Sequence, residues 1–258
     1  MEFYKYQGTG NDFILFDNRN GGFDRSRIDL VAKLCDRRFG IGADGLMLLQ
    51  NKEGFDFEMI YYNSDGNESS MCGNGGRCIV AFASFLGLVK DEANFIATDG
   101  PHVARLTEGL VNLKMNDVGS IEKNAEFSFL DTGSPHYVKY VENVQGMDVN
   151  KEGALIRNNE RFKAEGTNVN FIENTDDALF VRTFERGVEG ETYSCGTGVT
   201  AAALVNAMNN KNQSQGVCKI KTLGGNLTVR YQQNETNNFS NIWLEGPATF
   251  VFKGNVEL

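Results

Sequence analysis

Two short stretches decide how this chain is read: SMCGNGGRC at residues 70–78 and SCGTG at residues 194–198. Each places a cysteine, Cys72 or Cys195, at the head of a glycine-rich turn. Each turn runs straight into an apolar segment of small residues, RCIVAFASFLGLV (77–89) or VTAAALVNAM (199–208), the signature of a buried helix. Outward from the cysteines the landmarks keep recurring. Gly10 in GTGNDF (8–13) lies 62 residues before Cys72, and Gly133 in TGSPHY (132–137) lies 62 before Cys195. Thr98-Asp99-Gly100 starts 26 residues past Cys72, and Thr222-Leu223-Gly224 starts 27 past Cys195. Alternating, β-branched and aromatic segments flank each cysteine: FDFEMIYYN (55–63) and HVARL (102–106) in one half, ALFVRTFER (178–186) and NLTVRY (226–231) in the other. Four ordered landmarks at matched spacing define an internal repeat.

The repeat sets the expected architecture. A helix that is apolar all round must be covered on all sides, so each half is expected to wrap its strands around one. The fold class is α+β: two pseudo-symmetric lobes, each of mostly antiparallel strands around a central apolar helix, with a ligand expected in the cleft between them. The lobes are expected at residues 1–115 and 116–249, with the last strand, residues 250–258, a candidate to return to the first lobe.

Bulk properties exclude some partners. A net charge of −9 argues against nucleic acid. The longest apolar run, Ile79 to Val89, is too short to cross a bilayer, and the polar N-terminus shows no secretory leader. Five cysteines, an odd number in a chain of 258 residues, point to reduced thiols and a cytoplasmic setting. The oligomeric state stays open, a homodimer among the options.

Three chemistries compete for the cysteine turns. A structural metal needs four soft or imidazole ligands at tight spacing, and only His102 and His136 are available as histidines. A phosphate loop needs a Lys-Ser/Thr ending or a complete GxGxxG, which GNGGRC lacks. Thiol chemistry needs what is present: a cysteine at a helix N-terminus, where unpaired amides and the helix dipole favour the thiolate. Two such thiols suit inversion of a stereocentre, one removing a proton as the other delivers one to the opposite face. Their helix N-termini suit a substrate carboxylate. Cys35, Cys78 and Cys218 read as buried, inert thiols.

NSDGNESSMCGNGGRC (63–78), FERGVEGETYSCGTG (184–198) and QGTGNDF (7–13) together resemble diaminopimelate epimerase, over essentially the whole chain. The resemblance implies interconversion of LL- and meso-2,6-diaminopimelate, for lysine and peptidoglycan precursors, with no cofactor and no metal. By motif it implies Cys72 and Cys195 as the acid/base thiols. The amides of Gly73, Asn74, Gly196 and Thr197 would hold the reacting carboxylate. Asn11, Asn63, Asn168, Glu185 and Arg186 would bind the rest of the substrate, with His136 and Ser134 in support. Two positions depart from the pattern: Gly45 stands where many members carry Gln, and Ser134 where many carry Asn. Proline and hydroxyproline racemases share the two-cysteine logic, but they carry His where this chain has Asn74. Phenazine-biosynthesis-type isomerases lack the cysteine pair.

Overall fold

Alternating and aromatic segments become short strands, and the two small-residue segments become the longest helices. The computed structural model describes residues 1–209, 214–234 and 238–257. Two compact units result: Met1–Leu113 with Gly246–Leu258, and Lys114–Glu245. Leu258 itself lies outside the described residues.

The first unit runs β1 (Glu2–Gly8), β2 (Asn11–Asp17), α1 (Ile28–Cys35), β3 (Gly45–Gln50), β4 (Phe57–Asn63), β5 (Glu68–Ser69), α2 (Gly73–Phe85), β6 (Glu92–Ala97), β7 (Gly100–Thr107) and β8 (Leu110–Lys114). The second runs β9 (Glu122–Lys123), β10 (Ser128–Asp131), β11 (Pro135–Tyr140), α3 (Val149–Arg157), β12 (Asn168–Asn174), β13 (Leu179–Glu185), β14 (Gly190–Thr192), α4 (Gly196–Asn209), β15 (Gln215–Thr222), β16 (Gly225–Gln233) and β17 (Phe239–Pro247). The last strand, β18 (Thr249–Asn255), pairs antiparallel with β1.

Strand pairing repeats between the units. In the first, β1 and β2 are antiparallel, β2 and β3 parallel, β3 and β4 antiparallel, β4 and β6 parallel, and β6 and β7 antiparallel. In the second, β10/β11, β11/β12, β12/β13, β13/β15 and β15/β16 follow the same series. The glycines that mark the repeat serve one purpose. Gly10 and Gly133 both adopt positive φ, 85° and 104°, at the tight turns before β2 and β11. Only glycine enters that region without strain.

Each long helix is held by burial. The first turn of α2 contains Gly73, Gly75 and Gly76, poor helix formers that each cost about 1 kcal/mol relative to Ala. Burial of Ile79, Val80 and Phe82, worth about 1.5–3 kcal/mol per side chain, offsets that cost. The glycines are needed for close approach: a Cβ on Gly76 would sit 2.8 Å from Met71 Sδ, and one on Gly75 would sit 3.1 Å from Cys72 Sγ. Helix α2 packs on β1, β2, β3 and β7. Helix α4 packs on β10 to β13, β15 and β16, with Gly196 and most of Gly198 to Met208 buried. The α+β class follows from this series of strands around one buried helix per unit. No helix among the described residues is long and apolar enough to cross a membrane.

Candidate functional site

In the first unit the cysteine turn ends where α2 begins. Cys72 is the helix N-cap, with extended backbone, and its Sγ accepts from the Gly75 amide at 3.2 Å. Gly76 N–H bonds back to the Cys72 carbonyl at 2.8 Å. Gly73 and Asn74 form the first turn of the helix, where backbone N–H groups point out of the helix end. The Asn74 side chain is buried and donates to Asn11 Oδ1 at 3.2 Å, while Asn11 donates to Asp44 Oδ2 at 2.7 Å. Cys72, Asn74 and Asn11 are therefore brought together. Beside them, burial raises the Asp12 carboxyl, but the guanidinium of Arg37 and the ammonium of Lys5 hold it down at about 2.

Asn63 is set apart from that chain of contacts. It ends β4 directly opposite Gly45, its side chain exposed and its carbonyl accepting from Gly66 in a turn. Gly45 has no room for a side chain, since a Cβ there would lie 2.5 Å from the Tyr61 ring. The Tyr61 ring and the Tyr62 carbonyl, 2.6 Å from that Cβ, together occupy the space that a side chain at 45 would fill.

The second unit collects its candidates more tightly. Asn168 donates to Ser134 Oγ at 2.8 Å and to the Pro135 carbonyl at 3.1 Å, and accepts from the Arg186 amide at 2.9 Å. The Arg186 guanidinium donates to the Glu165 carbonyl and to Ser134 Oγ. Glu185 accepts from Thr192 Oγ1 at 2.9 Å. Cys195 is buried immediately before α4, its Sγ 3.5 Å from Thr197 Oγ1. The Thr197 carbonyl accepts from Thr132 at 2.9 Å.

His136 lies fully buried beneath these residues, paired with Asn168 in the β11/β12 register. Its Nδ1 accepts from Asn170 Nδ2 at 3.1 Å, so the neutral ring carries its proton on Nε2. The Asn170 amide orientation is itself fixed, since Nδ2 also donates to the Tyr137 carbonyl and Oδ1 accepts from Thr183 at 2.9 Å. Burial, reinforced by the charge of Arg186, pushes the imidazole down to about 3. His136 is thus a neutral group throughout the ordinary pH range.

Three residues escaped the sequence reading. Asn170 and Thr183 form the buried network under His136, and a Cβ on Gly198 would lie 2.4 Å from Asn170 Oδ1 and 3.4 Å from Cys195 Sγ. The network therefore reaches the cysteine turn. Its visible signal was a second buried-strand amide two residues after Asn168, in NVNFI. Arg77 is the third, buried behind the first turn. Of the remaining singled-out residues, Cys35, Cys78 and Cys218 are buried thiols that burial pushes up in pKa. His102 stacks on Phe95 and bonds Asp99.

Comparison with known proteins assigns the fold first, then the family. The fold matches a phenazine biosynthesis protein of the PhzF family from Bacillus anthracis, with TM-score 0.80 and 14% identity over 100% of this chain and 99% of that one. It also matches a hydroxyproline epimerase from Agrobacterium vitis, with TM-score 0.71 and 14% identity over 98% and 91%. The architecture is therefore one that these proteins share. Within it, the diaminopimelate epimerase family model matches residues 3–121 and 128–251. A diaminopimelate epimerase from Flavobacterium psychrophilum is 50% identical over 99% of this chain and 100% of its own length. The chain belongs to the diaminopimelate epimerase family.

Proposed function

We propose that this chain is an epimerase that interconverts LL- and meso-2,6-diaminopimelate by two-base proton transfer, and that it works in the cytoplasm. The observation that supports the reading most is the doubled cysteine turn: Cys72 and Cys195 each stand at the start of a buried helix, in a chain of this family. One thiolate takes the α-proton, and the electron pair left behind delocalises into the adjacent carboxylate. The other thiol delivers its proton to the opposite face of the same carbon. At the end the first sulfur is the thiol and the second the thiolate, so the reverse reaction uses the same two groups. Matched acids near neutral pKa suit a reaction that runs both ways.

The supporting residues fall into natural roles. The amides of Gly73, Asn74, Gly196 and Thr197 face charge that grows on the carboxylate, as helix N-termini do for anions. The Arg186 guanidinium suits the carboxylate at the far end of the substrate. Asn11, Asn63, Asn168, Ser134 and Glu185 supply the remaining polar contacts, and His136 supports Asn168 from below. Two-base proton transfer needs reduced thiols, which a cytoplasmic setting maintains.

The test is solvent isotope incorporation. Incubating the protein with LL-diaminopimelate in deuterated water under reducing conditions should give meso product labelled at one α-carbon. Cys72→Ala and Cys195→Ala should each abolish epimerisation. An unlabelled substrate pool, or full turnover by either variant, refutes the two-base reading. Turnover of proline or hydroxyproline in its place would move the substrate assignment.

A further inference from the structure

Arg77 follows Cys72 by five residues and is fully buried. Its guanidinium donates to the Gly73 carbonyl at 3.0 Å, Asn74 Oδ1 at 3.0 Å, Thr9 Oγ1 at 3.3 Å and the Pro247 carbonyl at 3.4 Å. All four acceptors are neutral. A buried charge satisfied only by neutral dipoles is costly unless an anion shares its surroundings. Burial pushes this guanidinium down to about 10, so it stays charged at neutral pH. Two thiols belong to the same helix: Cys78, next in the chain, and Cys72, the N-cap directly before the Gly73 and Asn74 that Arg77 grips. Burial drives the Cys78 thiol up and keeps it neutral. Cys72 is therefore the anion that this cation can match.

The other ionisable groups around α2 do not compete. On β2, Asp12 is matched by Lys5 and Arg37. Asp99, ahead of β7, accepts from the Met71 amide and pairs with His102. On β1, burial raises the Tyr6 hydroxyl to about 12 and keeps it neutral. Strand β3 carries no ionisable residue.

The second unit has an exposed cation, Arg186, whose charge reaches His136, but no buried one at the matching position. Five residues after Cys195 stands Thr200, whose hydroxyl donates to the Gly196 carbonyl at 2.9 Å. That bond repeats the one from Arg77 to Gly73 with a neutral donor. The nearby imidazole of His136 is neutral as well. The two turns match in backbone and differ by one buried cation.

We propose that Arg77 is a positioning residue whose buried guanidinium keeps Cys72 as the thiolate of the resting pair and leaves Cys195 as the thiol. This rests on the two-base reading above, which requires one sulfur in each state before substrate binds. It also explains why a guanidinium suits this position: its fork grips Gly73 and Asn74, the two residues after the thiol, while carrying the charge.

Site-resolved alkylation tests it without any turnover assay. The unmodified protein is treated briefly with iodoacetamide from about pH 5 to pH 10, and modification of Cys72 and Cys195 is read separately by mass spectrometry. The reagent is neutral and reacts with the thiolate. Cys72 should show a midpoint at least about one pH unit below that of Cys195. In Arg77→Met the Cys72 midpoint should rise by about one unit, a roughly tenfold loss of thiolate at pH values below it. Arg77→Lys should hold the midpoint near its original value, and neither variant should move that of Cys195. A Cys72 midpoint equal to or above that of Cys195 in the unmodified protein overturns the proposal, even if Arg77→Met does not fold. So does an unmoved Cys72 midpoint in an Arg77→Met protein with unchanged circular dichroism. Failure of deuterium incorporation with the midpoints ordered as stated would sink the epimerase reading and leave the role of Arg77 standing.

Discussion

Replacing His136 by Gln should flatten the acid side of the stability profile, and the structure sets the size of the effect. The folded imidazole titrates near 3, whereas an ordinary histidine titrates at 6.5. Between those values the unfolded chain takes up a proton that the folded chain refuses. Stability therefore falls as pH falls, by about 1.4 kcal/mol per unit for one such group. From pH 6.5 to pH 4 the loss is about 3 kcal/mol, a large share of a typical domain's stability. Because the ring is 0% exposed, solvent screening does not reduce that figure. Gln can still accept from Asn170 but does not titrate.

The assay is urea unfolding of both proteins at several pH values from 7 to 4, followed by circular dichroism. The Gln variant is expected to be less stable at pH 7, because the packing is disturbed. The gap between the proteins should then close by about 3 kcal/mol on going to pH 4. Asp12 also loses stability with acid, since its folded carboxyl is held at about 2 against an ordinary 3.8. That contribution is common to both proteins and cancels in the difference. Parallel stability curves would show that His136 is not a neutral buried ring, and the network drawn from Asn170 would be wrong. The same neutrality means that limbs of the activity profile above about pH 5 do not belong to His136.

Other substitutions test the remaining geometry. Gly198→Ala should lower kcat/KM about tenfold or more with a modest change in Tm, because its Cβ meets Asn170 Oδ1 at 2.4 Å beside the Cys195 turn; unchanged kinetics would separate that network from the turn. Asn170→Leu should cost about 2–4 kcal/mol in urea unfolding, since His136 Nδ1 and the Thr183 hydroxyl both lose their partner. Gly45→Gln should destabilise by about 1–3 kcal/mol in urea unfolding, through overlap with the Tyr61 ring and the Tyr62 carbonyl. Unchanged stability would show that position 45 has room for a side chain.

The repeat made much of this fold readable, because spacing survives when side chains change. Gly10 and Gly133 stand out in sequence since a positive φ admits little else, and Cys72 and Cys195 stand out since thiols are rare beside glycine turns. What spacing could not show is which side chains touch. Tyr61 over Gly45 is a cross-strand contact, invisible until the β3/β4 register is known. Asn170 looked like one more strand residue, and only its bonds to His136 and Thr183 mark it as part of a network. Arg77 was in plain sight inside SMCGNGGRC, but a lone arginine is ordinarily a surface residue, and its burial comes from the packing of α2.

The repeat also shows where the two units part company, and those places carry chemical meaning. Paired by register, Met47 lies opposite Tyr61 where Asn170 lies opposite Thr183. Phe13 pairs with Gly45 where His136 pairs with Asn168. Counted from each cysteine, Arg77 stands where Thr200 does. One unit thus sets an apolar floor and a buried cation beneath its turn, and the other sets a neutral polar network. The repeated backbone places a thiol directly before the buried helix of each unit. With identical surroundings a singly ionised pair would carry its charge equally on either sulfur, with neither favoured as the base. On the proposal for Arg77, a buried charge behind a repeated backbone favours Cys72 as the thiolate of the resting pair.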